Sequence, residues 1–190
     1  MRQQVQALVV LGALLITSRV FAADTYVIDP HHTSFSFMVK HMMISNVPGE
    51  FDKFNGTVTY DPKDLAASRA EVTIDAASID TRVAMRDADL KSPHFFDVAK
   101  YPVITFVATK FTPGYITGDL TMKGLTKRIT IPVTIAGPVN EMGHQAIGIT
   151  GTTTINRQDW GISWNKTLDQ GGVAVSNDVL LTISIEADRK

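Results

Sequence analysis

Apolar side chains recur at every second position in about eight short stretches of this chain, and that spacing commits most of it to β-strands. Along Ser34–His41, Phe35, Phe37, Val39 and His41 fall on one face, and Ser34, Ser36, Met38 and Lys40 on the other. Phe54, Gly56, Val58 and Tyr60 share a face before Asp61-Pro62 ends the run. Val72 and Ile74 alternate with Glu71, Thr73 and Asp75, and residues 103–109 are β-branched and aromatic. A Pro113-Gly114 turn joins that stretch to residues 115–122 as a hairpin. Ile129, Ile131, Val133 and Ile135, then residues 147–155, then Val179, Leu181, Ile183 and Ile185 continue the pattern. Strands this short, with turn residues between them, predict an all-β domain, a sandwich or an up-and-down barrel. Periodicity alone does not separate the two.

Residues 78–101 interrupt the alternation. Asp80 or Thr81 is placed to cap a short helix carrying Val83, Met85, Ala88 and Leu90, which Pro93 then breaks. Phe95-Phe96 opens a second turn, and Tyr101-Pro102 ends the segment. In a barrel, an insert of this length lies over an opening. Arg86-Asp87 reads as an ion pair within it.

The inward faces mix large side chains (Phe35, Phe37, Tyr60, Phe106) with small ones (Gly56, Ala70, Ala76, Gly118, Gly151). Eight strands close into a barrel that is either filled by side chains or holds one small ligand. Large facing small fits ordinary interdigitation and a hollow interior equally well.

Residues 1–22 read as a secretory leader. Arg2 is followed by an acid-free apolar run over residues 5–16, shorter than the ~20 residues a spanning helix needs. Val20-Phe21-Ala22 supplies the cleavage signal, so the expected mature chain is residues 23–190, one domain exported to the periplasm. Removing Arg2 and Arg19 leaves 16 basic against 19 acidic side chains, a net charge near −3. That balance argues against a nucleic-acid partner and against adhesion to an anionic membrane by charge alone. Transient membrane contact stays open. Cysteine is absent, which removes lipoprotein anchoring, covalent c-type haem, thiol redox chemistry and thiolate metal sites.

Chemistry-bearing motifs are few. His31, His32, His41, His94 and His144 show neither H-x-H nor H-E-x-x-H spacing, so no metal site is expected. His32 is expected to hydrogen-bond structurally. Gly161-Ile162-Ser163-Trp164-Asn165 is not a nucleophile elbow, because Asn165 stands where glycine is required. No catalytic residue is assigned.

Several motifs in order resemble the YceI-like family. Residues 29–41, Asp29-Pro30-His31-His32-Thr33-Ser34-Phe35 onward, resemble its opening strand, and Gly49-Glu50-Phe51 with Phe54-Asn55-Gly56 follows. Ser78-Ile79-Asp80-Thr81, Arg86-Asp87, Leu90-Lys91-Ser92, Phe95-Phe96-Asp97-Val98 and Tyr101-Pro102-Val103 look like its most specific block. Gly118-Asp119-Leu120-Thr121, Gly124-Leu125-Thr126-Lys127 and Arg157-Gln158-Asp159-Trp160-Gly161 complete the likeness. Three positions depart from the pattern: Asp89 stands where the family often has His, His94 where it often has Asp, and Arg128 where Pro is usual.

The resemblance implies an extended, lipocalin-like antiparallel barrel of eight strands and no catalytic residues. It implies a tunnel for a long-chain apolar lipid, such as a polyisoprenoid, a quinone, an isoprenyl phosphate or another amphiphile, bound as ligand with no cofactor. On this reading Phe35, Phe37, Val39, Tyr60 and Phe106 line the tunnel, with His41 at its polar end. Phe95, Phe96 and Trp160 lie beside the ligand as gate or wall, or else plug the core. Two other readings compete: an enzyme acting on a lipid or quinone through His41 or Arg86-Asp87, and a filled barrel serving as an interaction scaffold. Oligomeric state is not legible.

Overall fold

The computed structural model describes residues 23–190 except Met142 and Gln170, so the expected leader lies outside the described residues. The strands are β1 (Asp24–Ile28), β2 (Ser34–His41), β3 (Ser45–Phe51), β4 (Phe54–Tyr60), β5 (Arg69–Asp75) and β6 (Ile79–Asp80). After helix α1 (Ala84–Lys91) come β7 (Val103–Thr112), β8 (Tyr115–Met122), β9 (Leu125–Glu141), β10 (His144–Asn156) and β11 (Val175–Arg189). Strands β1, β4, β5, β7, β8, β9, β10 and β11 pair in that order, and β11 pairs back to β1, closing an eight-stranded antiparallel barrel.

The long strand β11 organises the fold by changing partner along its length. Residues 187–189 pair with β1, whereas Val179 to Ser184 pair with β2. β2 pairs onward with β3, and β3 with β6, which continues from β5 through a 3-10 turn at Ala76–Ser78. Thus β2 and β3 extend the wall at one end, beyond the positions that β1 and β4 hold at the other. The barrel is closed where β1 sits and elongated where β2 does.

Eight strands were expected, and eight form the ring, but not the same eight. β1 was not anticipated, because its five residues show little alternation. β2 was counted as a ring strand and instead belongs to the extension. β3 escaped notice because Pro48 and Gly49 interrupt it. Pro48 is tolerated there because β6 takes up only Glu50 and Phe51 on the far side, leaving that edge without a donor requirement at Pro48.

Alternation is cleanest on β8, where Ile116, Gly118, Leu120 and Met122 are buried and the residues between them are not. The core forms two clusters. One, around Tyr26, Ile28, Val58 and Ile147, fills the closed end. The other, around Ile104, Leu120, Trp160 and Val179, lies further along the barrel.

The glycines among the small inward residues settle toward interdigitation, one of the two readings the sequence left open. A Cβ on Gly118 would meet the Phe106 ring, and one on Gly56 would lie 2.5 Å from the Glu71 carbonyl oxygen. These glycines are points of close approach that let rings and backbone pack, not gaps.

The insert holds one helix, but neither Asp80 nor Thr81 caps it. Val83 occupies the N-cap without a side-chain bond. The Asp80 carboxylate accepts from the Arg82 amide instead, at 2.6 Å. Thr81 is buried, and its amide and hydroxyl both donate to Asp87 Oδ1, at 2.9 and 2.5 Å. Arg86 Nε donates to the same hydroxyl at 2.7 Å, and Nη2 to the Thr81 carbonyl at 2.6 Å. Arg86 and Asp87 are therefore not an ion pair. Neighbours on a helix point about 100° apart, and here the Thr81 hydroxyl relays between them.

Candidate functional site

Two apolar cavities run along the barrel. The inner one, about 120 Å³, is bounded mostly by side chains of the ring strands, among them Ala70, Ile104, Phe106 and Ile149, and on one side by β2. The outer one, about 590 Å³, lies between the β2–β3 extension, the helical insert and residues 162–175. Phe37, Phe51, Met122 and Leu181 line both, so the chambers meet at a waist made by these four side chains. Ser36 and Thr182 are the polar residues among the inner chamber's walls, while the outer chamber is bordered by Thr81, Arg86, Asp89, His41 and Arg157. Polarity thus rises from the closed end to the open one.

Each wall follows from local sequence. Phe35 and Phe37 face inward because β2 alternates, and they pair across to Ile183 and Leu181 of β11. Phe35 meets Phe54 edge-on at 4.9 Å, joining β2 to β4, two strands that do not pair. Phe96 meets Phe51 at 5.8 Å with planes at 90°, which fastens the insert to β3. Phe95 is buried against Trp164, with ring centroids 5.4 Å apart.

Seven of the nine expected tunnel residues meet at these cavities. Phe35, Phe37 and Phe106 line the inner chamber, and Phe37, Val39, His41, Phe95 and Phe96 the outer. Tyr60 lies in the closed-end core beside neither chamber. Trp160, only 2% exposed, also stands outside both linings, and its indole Nε1 donates to the Leu120 carbonyl at 3.0 Å. Sequence reasoning missed Phe51, although it falls in a quoted motif, because β3 shows no alternation. It also missed Arg157, which carries no periodic signal.

Arg157 is 4% exposed. Nε donates to the Ser176 carbonyl at 2.9 Å and Nη1 to the Ile162 carbonyl at 2.5 Å. Nη2 reaches the Val175 carbonyl and Asn177 Oδ1 only at 3.4 and 3.5 Å. Burial lowers its pKa from the ordinary value, yet a guanidinium stays charged at any physiological pH.

Two of the positions that depart from the resembled pattern, Asp89 and His94, meet each other. His94 Nδ1 stands 3.4 Å from Asp89 Oδ1. The third, Arg128, pairs in bidentate fashion with Asp119 across β8 and β9, at 2.9 and 3.0 Å.

At the surface where β11 changes partner, Asp29, His32 and Glu186 bring three potential ligand atoms within 4.8 Å of one another. Spacing along the chain hides this cluster. His32 Nδ1 is hydrogen-bonded to Asp29 Oδ2 at 2.5 Å, and the Asp29 carboxylate also accepts from the His31 amide at 2.9 Å. His31 and His32 lie in the turn between β1 and β2.

These features define an elongated antiparallel β-barrel with an apolar, two-chambered interior. The chain belongs to the YceI-like family: the model of the YceI-like domain matches residues 26–187. A UPF0312 protein of Staphylococcus aureus is 39% identical over 163 residues, covering 85% of this chain and 95% of that protein. Among solved structures, BcnA of Burkholderia cenocepacia superposes with a TM-score of 0.74 at 28% identity, covering 84% of this chain and 98% of BcnA. A polyisoprenoid-binding domain from Saccharophagus degradans shares the fold, with a TM-score of 0.65 at 14% identity over 90% of this chain and all of that one.

Proposed function

We propose that this protein is an exported, non-enzymatic carrier that holds one long-chain apolar lipid in its barrel, for storage or transport in the periplasm. The observation that carries this reading is the pair of apolar cavities joined at one four-residue waist. An empty apolar void of 120 Å³ costs about 3 kcal/mol at ~24 cal/mol per Å³, which a bound tail would recover. The polyisoprenoid bound by the domain from Saccharophagus degradans is a ligand of the same kind.

A tail gains ~0.8 kcal/mol per CH₂ on leaving water, but a bilayer already provides that gain. The barrel therefore competes with membrane, and contacts to the head group decide which lipid it keeps. The enzyme reading has less support. Asp87 is engaged by Thr81, and the exposed His41 imidazole has no hydrogen-bond partner among the described residues. A filled scaffold is disfavoured by the same cavities.

Titration of delipidated protein with a fluorescent polyene lipid tests the proposal. Saturable binding with a stoichiometry of one, displaced by an isoprenoid alcohol, is expected. Absence of saturable binding contradicts it.

A further inference from the structure

We propose that the rim of the outer chamber is a membrane-docking surface, whose exposed apolar side chains seat the barrel's mouth on a lipid bilayer. This rests on the lipid-carrier reading and names the surface through which that carrier loads and unloads.

Three elements surround the outer chamber, and each exposes apolar side chains there. The turn between β2 and β3 presents Met42, Met43 and Ile44, the insert presents Val83 and Met85, and the segment that follows Gly161 presents Trp164. Ile44 and Met85 are 84% and 85% exposed. Val83, Met85 and Trp164 also line the chamber, and Met42 directly follows His41, another lining residue. The Met42 amide donates to the Ala174 carbonyl at 2.8 Å, which ties the turn to the chain beyond Trp164. Single exposed apolar residues are ordinary, but a set gathered around one cavity marks a contact surface.

The turn carries a second cost. The Ile44 amide donates to the His41 carbonyl at 3.1 Å, and Met42 and Met43 between them stand at φ of 49° and 63°. Two successive left-handed residues in a tight hairpin are ordinarily Asn and Gly, and methionine is strained there. Packing does not explain the choice, since Met42, Met43 and Ile44 are exposed and line neither chamber. Strain and apolar exposure at one place are the mark of a functional surface.

A bilayer is the occupant that these features favour. Exposing each methylene of a tail to water is costly, so a lipid passes most readily between membrane and barrel when the mouth lies against the membrane. The docking side chains border that same mouth. Residues 42–48 carry no charged side chain and the chain's net charge is −1, so insertion of apolar groups, not attraction to anionic lipid, supplies the force.

The test loads the protein with a fluorescent polyene lipid and mixes it with vesicles of dioleoylphosphatidylcholine. The transfer rate is expected to rise in proportion to vesicle concentration and to change little with salt. A rate independent of vesicle concentration means that the lipid leaves through water, which overturns the inference and leaves the carrier intact. Transfer that requires phosphatidylglycerol and collapses in salt overturns it too. Protein unable to hold the polyene lipid removes the carrier reading itself.

Met42→Asn/Met43→Gly suits the left-handed turn while deleting both apolar side chains. Transfer should slow about tenfold, with equilibrium affinity for the polyene lipid unchanged and the urea midpoint equal to wild type or higher. Ile44→Ser, outside the left-handed pair, should slow transfer severalfold and decides the matter if the double variant does not fold. Undiminished transfer in the folded variants contradicts the proposal. So does a slowing matched by an equal loss of affinity, which would place these side chains in the binding chamber. Self-association of wild type in sedimentation, lost in the variants while transfer is unchanged, makes the rim a contact between copies of this chain and also contradicts it.

Discussion

The rings of Phe37 and Phe51 stand 5.9 Å apart, tilted by 48°, at the waist between the two chambers. Each is held from behind. Phe37 lies over Gly49, where a Cβ would strike its ring, and Phe51 rests against Phe96. Gly49→Ala must therefore push Phe37 off its seat, because the new methyl would also meet Thr81 Cγ2 at 2.8 Å. The expected cost is about 1–3 kcal/mol in urea unfolding, with weakened lipid retention. An unchanged midpoint and unchanged lipid content would show that the waist does not depend on this contact.

Ala70 and Gly56 share the inward side but differ in what surrounds them. Ala70 lines the inner chamber, so Ala70→Leu occupies ligand space. Delipidated Ala70→Leu protein should be as stable as wild type or slightly more so, and should carry less lipid. Gly56→Ala has no such space, since its Cβ would lie 2.7 Å from Ile28 Cδ1 and 2.5 Å from the Glu71 carbonyl oxygen. It should lose about 1–3 kcal/mol whether lipid is present or not. Both are read from denaturant unfolding of delipidated protein beside mass spectrometry of extracted lipid.

Trp160 is separable from the ligand by the same logic. Trp160→Phe removes the donor to the Leu120 carbonyl and leaves a cavity in the second core cluster. A loss of about 2–4 kcal/mol is expected, with lipid selectivity unaltered. Altered selectivity at unchanged stability would place the indole against the ligand instead.

The Asp29–His32 contact makes a pH prediction. The hydrogen bond that His32 donates to the Asp29 carboxylate raises the His32 pKa above its ordinary value, with the charges of Asp29 and Glu186 adding to it. The His31 amide, then His32, lower that of Asp29. The raised His32 value stabilises the fold fully below its unfolded pKa near 6.5, and that gain is lost as pH rises through the folded value. The Asp29 gain is present above its unfolded pKa near 3.8 and is lost as pH falls through the folded value. The Tm difference between wild type and His32→Ala should therefore be greatest between those limits and shrink at alkaline pH. A difference that grows with pH would refute the assignment. Because His32 already has its partner, EDTA should leave Tm unchanged. A drop restored by one divalent cation would make the Asp29–His32–Glu186 cluster a metal site.

What was legible in the sequence follows from how far each signal reaches. Alternation is local, so β2, β4, β5 and β7–β11 could be read from their own residues. Which strands close the ring could not, because the partner change along β11 depends on its length and on β1, a strand of five residues. Glycines at inward positions left packing and empty space equally open, because the atoms that meet them, the Phe106 ring and the Glu71 carbonyl, come from neighbouring strands. Arg157 was invisible as a site residue for the same reason: its partners, at Ile162 and at residues 175–177, are brought to it by a loop with no period.

Organic extraction of the natively purified protein, followed by mass spectrometry, tests the central claim most directly. The account predicts one long-chain amphiphile at near-stoichiometric yield, and an intact protein mass that begins at Ala23. Protein that is folded, reproducibly free of lipid and unable to take one up after delipidation would contradict it.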